Sequence, residues 1–366
     1  MSAKEKKKRK GFKFLTVLLI LVVLIAGALL AIKVLEDREN IDVSTKDTDT
    51  LNEKQEEVIK TPKTLSGTSR PIAVMIDNNI NAMPQAGLEE ADIVYEIIVE
   101  GGESRLMLIM QDKDIERVGP LRSSRHYFLD YALENDAIYV HYGWSPYAKE
   151  DISELGVNNI NGIYESETAF WRDSNRYAPH NAVTSTDDIL KIAERNEYRL
   201  ETKKDPVLNY VVEEVNLEDG KAADTVTIPY SYYNTVEYEY DEDTKTYIRY
   251  SRGEKQTDWN TEKTIKTKNI IITFAENWSL DSYGRQEVDN IGTLDGYYIT
   301  NGKAIKIKCE KKSRKAQTVY KDLEGNEIDV NDGKTFIQIC PLNSNVVIEG
   351  EETEDAIENT VNEIDN

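Results

Sequence analysis

Residues Phe14 to Ile32 run for nineteen positions without a charged side chain, and no other feature constrains the chain as strongly. As a helix rising about 1.5 Å per residue, that run spans about 28 Å, close to the thickness of bilayer hydrocarbon. The thirteen residues before it carry seven Lys or Arg against one acid, Glu5. The flank behind it, Glu36-Asp37-Arg38-Glu39, is mainly acidic. Basic flanks stay on the cytoplasmic side. The expectation is a cytoplasmic tail (1–13), one N-terminal transmembrane helix acting as a signal-anchor (14–34), and extracytoplasmic domains after it: a single-pass protein of the cell membrane. A cleaved signal peptide shares the basic start, and Ala26-Gly27-Ala28 offers a small-x-small site. The apolar run continues past that site through Leu29, Leu30 and Ile32, which favours the uncleaved anchor.

The formal net charge is −22. The tail contributes seven cations and one acid, so the remainder carries −28. A nucleic-acid-binding face is usually basic, and none is visible outside the tail, so no nucleic-acid partner is expected. Part of the acidity is spacer: residues 349–366 hold eight acids and no base, and read as a solvated, disordered tail. The two cysteines, Cys309 and Cys340, lie far from the N-terminus, which argues against a lipid anchor on an N-terminal cysteine. Outside the cell they are free to pair. Cys309 also shares an alternating strand face with Ile305 and Ile307, so buried free thiols are equally compatible.

Residues 35–69 are polar without an apolar period and read as a linker. From Arg70 the texture changes. Ile72–Ile76 is a continuous apolar run, and Ile93–Val99, Leu106–Met110 and Ala137–His141 repeat the pattern, as strands buried on both faces do. Between them Ser123–Asn135, the segment opened by Ser145-Pro146, and Ser185–Asn196 read as helices with capping residues at their starts. Alternation of this kind predicts an α/β domain over 70–205. After Pro206 the signals become all-β, with Val236–Tyr240, Tyr247–Tyr250, Asn269–Phe274, Gly296–Thr300, Lys303–Cys309 and Thr335–Cys340 as strands. Asn301-Gly302 and Glu324-Gly325-Asn326 are hairpin turns. The fold class expected is therefore an α/β N-terminal ectodomain followed by a mainly antiparallel β C-terminal domain (206–348). Tyrosines crowd the second part, chiefly as half-buried packing, with stacking on a sugar or peptide as the functional alternative.

The chemistry-bearing residues gather in the first part. Val118-Gly119-Pro120-Leu121-Arg122-Ser123-Ser124-Arg125 puts hydroxyls at an expected helix start, where free N–H groups and the dipole favour an anion. Arg125 in a first helical turn opposes the dipole, so two arginines three apart point to a negative partner. That partner is either internal, from Asp77, Asp92, Glu96 or Glu100, or a phosphate or carboxylate ligand, and both readings stay open. Phe170-Trp171-Arg172-Asp173 with Arg176 and His180-Asn181 forms a long polar loop. Ligands of open α/β sheets lie beyond the carboxyl ends of strands. The candidate ligand-binding set is Asp77, Asn78, Glu96, Glu100, Arg105, Arg122, Ser123, Arg125, His141, Arg172, Arg176, His180 and Asn181. Three histidines without metal-ligand spacing predict no metal, and the missing phosphate loops predict no nucleotide cofactor. Nucleophile motifs are absent around the candidate serines, so no catalytic residue is assigned and the balance leans away from an enzyme.

These residues carry a resemblance. Arg70-Pro71-Ile72-Ala73-Val74-Met75-Ile76-Asp77-Asn78, Pro84-Gln85-Ala86-Gly87-Leu88, Ala91–Glu96, Glu100-Gly101-Gly102, Gly119–Arg125, Tyr139–Ser145 and Trp171–Asn181 follow in order. Together they resemble the YerB-like family of bacterial envelope lipoproteins, a two-part domain of unknown function. The similarity covers most of 70–200 and continues over about 230–342 through Tyr238–Asp241, Gly284-Arg285 and Lys334–Ile337. It implies location and architecture rather than a reaction. This chain departs from the lipoprotein pattern by its transmembrane anchor. A fainter similarity links Asp92–Arg125 with LytR-type wall-polymer ligases, whose arginines hold a lipid-linked pyrophosphate, and it stands as analogy. The function expected is that of a membrane-anchored envelope protein binding an anionic wall polymer or a wall-synthesis protein through an arginine-rich cleft. A wall-modifying hydrolase or phosphotransferase, using Asp77 or Glu100, and a non-catalytic interaction scaffold are the alternatives.

Overall fold

Apolar runs without alternation need cover on both faces, and a sheet carrying them must lie in the middle of the molecule. The computed structural model describes residues 61–350, and there the runs form one central sheet of twelve strands. β1 (Ile72–Asp77), β2 (Ile93–Ile98), β3 (Ser104–Met110), β4 (Ile138–His141) and β5 (Asn159–Asn161) form one half of it, in the order β2-β3-β1-β4-β5. β3 is antiparallel to β1 and β2, whereas β4 and β5 run parallel to β1. Beyond β2 the sheet continues without a break into strands Thr335–Pro341, Asn269–Ser279, Gly292–Thr300, Lys303–Lys311 and Val319–Lys321. Strand Thr335–Pro341 lies parallel to both neighbours, with Ile93 opposite Thr335 and Ile97 opposite Ile339. The fold is thus mixed and sheet-rich, in two parts with few helices, and its parts share one sheet.

The period of two assigns alternate residues to two cores. Ile72, Val74, Ile76, Leu106 and Leu108 join one, under α3 (Thr186–Arg195) and a second, six-stranded sheet that includes Thr225–Ser231, Asn234–Asp241 and Thr246–Ser251. Ala73, Met75, Met107 and Ile109 join the other, under α1 (Phe128–Glu134) and α2 (Pro146–Leu155). The expected caps hold: Ser145 and Ser185 each accept a bond from the third residue on, and Gly156 closes α2 in the left-handed region.

Three expectations change. α1 begins at Phe128 rather than Ser123, because Arg122 and Ser124 spend their backbone N–H groups on Met75 and Gly143 as extended chain. Arg125 is therefore outside any first helical turn, and the helix-dipole argument for an anion lapses. The linker reading fails at its end. Leu65 is buried, Lys63 and Thr64 donate to Asp332, and Ser69 bridges to Glu201. At the other end Glu349 still pairs with Thr225, so the strand enters the stretch read as tail. The apolar run at Phe14–Ile32 lies outside the described residues, and among those described no helix is long and apolar enough to cross a membrane. The cysteines are free: Cys340 sits in the first core and Cys309 in the second, on opposite faces of the sheet.

Candidate functional site

β1 ends at Asp77, whose partner across the antiparallel ladder is Arg105, the second residue of β3. The turn after β2 brings Glu100 to the same end of the sheet, and the extended segment Arg122–Arg125 runs beside it, with Leu121 bridged to Ile76. Sheet register alone therefore gathers three guanidinium groups and two carboxylates. Glu100 takes Arg125 Nε at 2.5 Å and Arg105 Nη2 at 3.7 Å. Asp77 Oδ2 takes Arg122 Nε at 3.3 Å and His180 Nδ1 at 2.7 Å. Burial lowers the Arg105 guanidinium to about 10, with the neighbouring charge of Arg125 adding to it. Burial pushes Glu100 upward, but Arg125 and Arg105 outweigh it and hold its carboxyl below the usual range.

The accessible side of this centre is Arg122 and His180, whose side chains keep 26% and 18% of their surface, against 9% and 8% for Arg105 and Arg125. Ser123 is engaged, its Oγ donating to the Tyr142 carbonyl. Exposed Arg172 stacks over the ring of that same Tyr142 and donates to Asn181 Oδ1 at 2.7 Å. Asn181 is buried, and its amide ties together the loop carbonyls of Asp173 and Arg176. Arg176 turns away from the acids, donating to the Ala82 and Pro84 carbonyls and lying 3.5 Å over the Trp259 ring.

Three candidates belong to the framework instead, with no exposed surface from which to meet a ligand: Asn78, Glu96 and His141. Glu96 Oε2 pairs with Arg249 Nη2 at 2.8 Å, both side chains fully buried, while Asn78 and Ser104 bond its other oxygen. His141 bonds the Gly143 carbonyl and Asn159, and burial lowers it to about 4, so it is neutral at pH 7. His141 ends β4 as expected, whereas Glu96 lies inside β2, opposite Leu106 and Gln338, and both positions are covered. Arg249 escaped the sequence reading, although a signal existed. It stands between Tyr247 and Ser251 on the inward face of an alternating strand, where an arginine needs a buried acid. A second such pair, Glu134 with Lys311 at 2.6 Å, left no comparable trace. Among the described residues no group of three or more His, Cys, Asp or Glu is placed to hold a metal.

Residues 60–199 match the family model described as "Protein of unknown function (DUF3048) N-terminal domain", and residues 226–337 match its C-terminal domain. The Bacillus subtilis (strain 168) protein named "Putative lipoprotein YerB" is 35% identical over 286 residues, covering 74% of this chain and 81% of that protein. The crystal structure of YerB from Bacillus subtilis is similar with a TM-score of 0.70 at 33% identity, covering 79% of this chain and 97% of that one. With the shared sheet, the ordered motifs and both halves matched, the chain belongs to the YerB-like DUF3048 family.

Proposed function

We propose that this chain is a membrane-attached, extracytoplasmic protein of the cell envelope, and that it binds an anionic group of a wall polymer or a wall-synthesis partner beside Arg122 and His180. One observation carries the ligand reading: three guanidinium groups and a histidine share two carboxylates, so the centre is left with net positive charge. Arg105 and Arg125 are sealed behind and supply field, while Arg122, His180 and exposed Arg172 are within reach of a guest. A ligand there competes with Asp77, which favours a phosphate over a single carboxylate. The basic tail and apolar run, together with the word lipoprotein in the relative's name, support the location.

The test is thermal shift and calorimetry of the purified protein with teichoic fragments, muropeptides and polyprenyl phosphates. A ligand that binds the native state raises the melting temperature, by an amount that grows with the logarithm of its concentration over its Kd, and Arg122→Glu is expected to abolish the rise. Binding unchanged in that variant refutes the site, and no shift with any of the three leaves the scaffold reading in its place.

A second reading rests on His180. Its Nδ1 is oriented by Asp77, and Nε2 makes no hydrogen bond among the described residues, which is the arrangement of a general base held by a carboxylate. Turnover of a wall substrate that disappears in His180→Asn, with binding retained, favours a hydrolase or phosphotransferase.

A further inference from the structure

A cavity of about 510 Å³ lies elsewhere, where α1 and α2 face the arm made by the end of strand Asn269–Ser279 and by Gln286–Asp289. In that arm Trp278 stands opposite Glu287, and Glu276 opposite Asp289. The period of two therefore puts the indole and both carboxylates Glu287 and Asp289 on one face. That face meets His126 and Tyr147 across the cavity.

The charge of the lining is one-sided. Asp130, Glu150, Asp151, Glu287 and Asp289 supply five carboxylates, and Arg314 is the one Lys or Arg among the lining residues. Arg314 is already committed, donating to Asp130 at 2.7 Å and to Asp151 at 2.6 Å. Even so, burial pushes the Asp130 carboxyl up to about 6.

Two buried polar atoms of the lining lack a hydrogen-bond partner among the described residues, one on His126 and one, the donor Nδ2, on Asn290. His126 is 7% exposed; its Nε2 lies 2.9 Å from Glu287 Oε1, and its Nδ1 has no hydrogen-bond partner among the described residues. A carboxylate only accepts, so Nε2 is the donor in that pair, and Nδ1 is a buried ring nitrogen of a lining residue without such a partner. Buried polar atoms without partners are uncommon in native proteins. The carboxylate oxygens and the π faces of half-exposed Trp278 and of Tyr147 favour the same guest: a compact cation with several N–H donors.

We propose that this cavity binds a primary ammonium group carried on an aliphatic chain, as in a diamine or a lysine-type side chain of a peptide. The ammonium is held by Glu287 and Asp289 and covered by Trp278. The inference is independent of the arginine centre, whose residues do not line the cavity.

Calorimetry on the detergent-solubilised full chain tests it with cadaverine, its mono- and diacetylated forms, and a short peptide bearing one lysine. Saturable binding of cadaverine is expected, lost on diacetylation and weakened by salt. The lysine peptide binding more tightly than cadaverine identifies a peptide-borne amine, and the reverse order a free diamine. Glu287→Gln with Asp289→Asn is expected to weaken binding about tenfold or more, equivalent to about 1.4 kcal/mol. Trp278→Ala, at an exposed position that leaves the fold intact, is expected to weaken it severalfold. No saturable binding up to millimolar cadaverine, or affinity unchanged in both variants, overturns the proposal.

Discussion

Replacing Arg249 by methionine tests how the two parts of the molecule are joined. The Arg249 guanidinium is fully buried and gives Nη2 to Glu96 at 2.8 Å, Nη1 to the Tyr238 hydroxyl at 2.9 Å and Nε to Gln256 at 2.5 Å. Burial opposes its charge, but Tyr238 and Glu96 more than offset that and hold its pKa above the ordinary value. Methionine keeps much of the apolar contact with Phe336, over which the guanidinium lies at 4.9 Å. It leaves the Glu96 carboxylate in a dry site with only Asn78 and Ser104 as donors. Breaking one side of a buried ion pair costs about 3–5 kcal/mol. An independent bound agrees, because Glu96 can escape by taking a proton. From an ordinary glutamate pKa of about 4.3, protonation at pH 7 costs about 4 kcal/mol, falling by about 1.4 kcal/mol per pH unit. The Arg249→Met defect is therefore expected to be about 3–4 kcal/mol at pH 7 and to shrink by about half at pH 5.5. Adding Glu96→Gln is expected to recover most of it, since the amide needs no counter-charge. Urea denaturation of the four proteins of the double-mutant cycle at both pH values is the assay. A single-mutant loss under about 1 kcal/mol, a loss independent of pH, or a double mutant as damaged as the two singles added would refute the reasoning.

Expressed alone, residues 60–199 are expected not to fold, because Glu96 and Glu134 lose Arg249 and Lys311 and β2 becomes an open apolar edge; co-expression with 206–350 should restore native circular dichroism, and an independently cooperative N-terminal half would contradict this. His141, lowered to about 4 by burial, is neutral when folded but takes a proton in the unfolded chain below about 6.5. The unfolded state then binds more protons, so this group's contribution is present above pH 6.5 and is lost, by about 3 kcal/mol, as pH falls to 4; His141→Gln should flatten that part of the stability profile. Burial raises the thiol of Cys309 to about 12 and that of Cys340 also upward. Native protein should therefore leave both unlabelled by a thiol reagent that reacts with two groups after denaturation, and reducing agent should not move the melting temperature.

Much of the fold was legible locally. The runs at Ile72, Ile93 and Leu106 declared strands buried on both faces, Ser145 and Ser185 declared helix starts, and Asn301-Gly302 declared its hairpin, where both residues have positive φ. The candidate site was legible in half. Asp77, Glu100, Arg105, Arg122, Arg125 and His180 meet because strand ends collect where a sheet stops, a consequence of topology that motif order hinted at. Burial of those ends was not legible. In the sequence His141 and Glu96 look like any polar residue closing a strand, and what covers them lies elsewhere in the chain: Asn159 is 18 residues from His141, and Arg249 is 153 residues from Glu96. Ser123–Asn135 failed for a related reason: its helical pattern is real from Phe128, but Ser124 gives its N–H to Gly143, next to Arg122 bonded to Met75, and so continues an extended segment instead of starting the helix early.

Local sequence determined what each segment is and which side it buries, because periodicity and capping act over a few residues. Which strands become neighbours was decided only in the tertiary structure. Thr335–Pro341 enters between β2 and Asn269–Ser279, setting Ile93 beside Thr335, and Arg249 reaches Glu96 across the same junction. A strand's pattern names the face it must hide but not the partner that will hide it. That choice is made by the shape and charge of surfaces that exist only after the chain has come together.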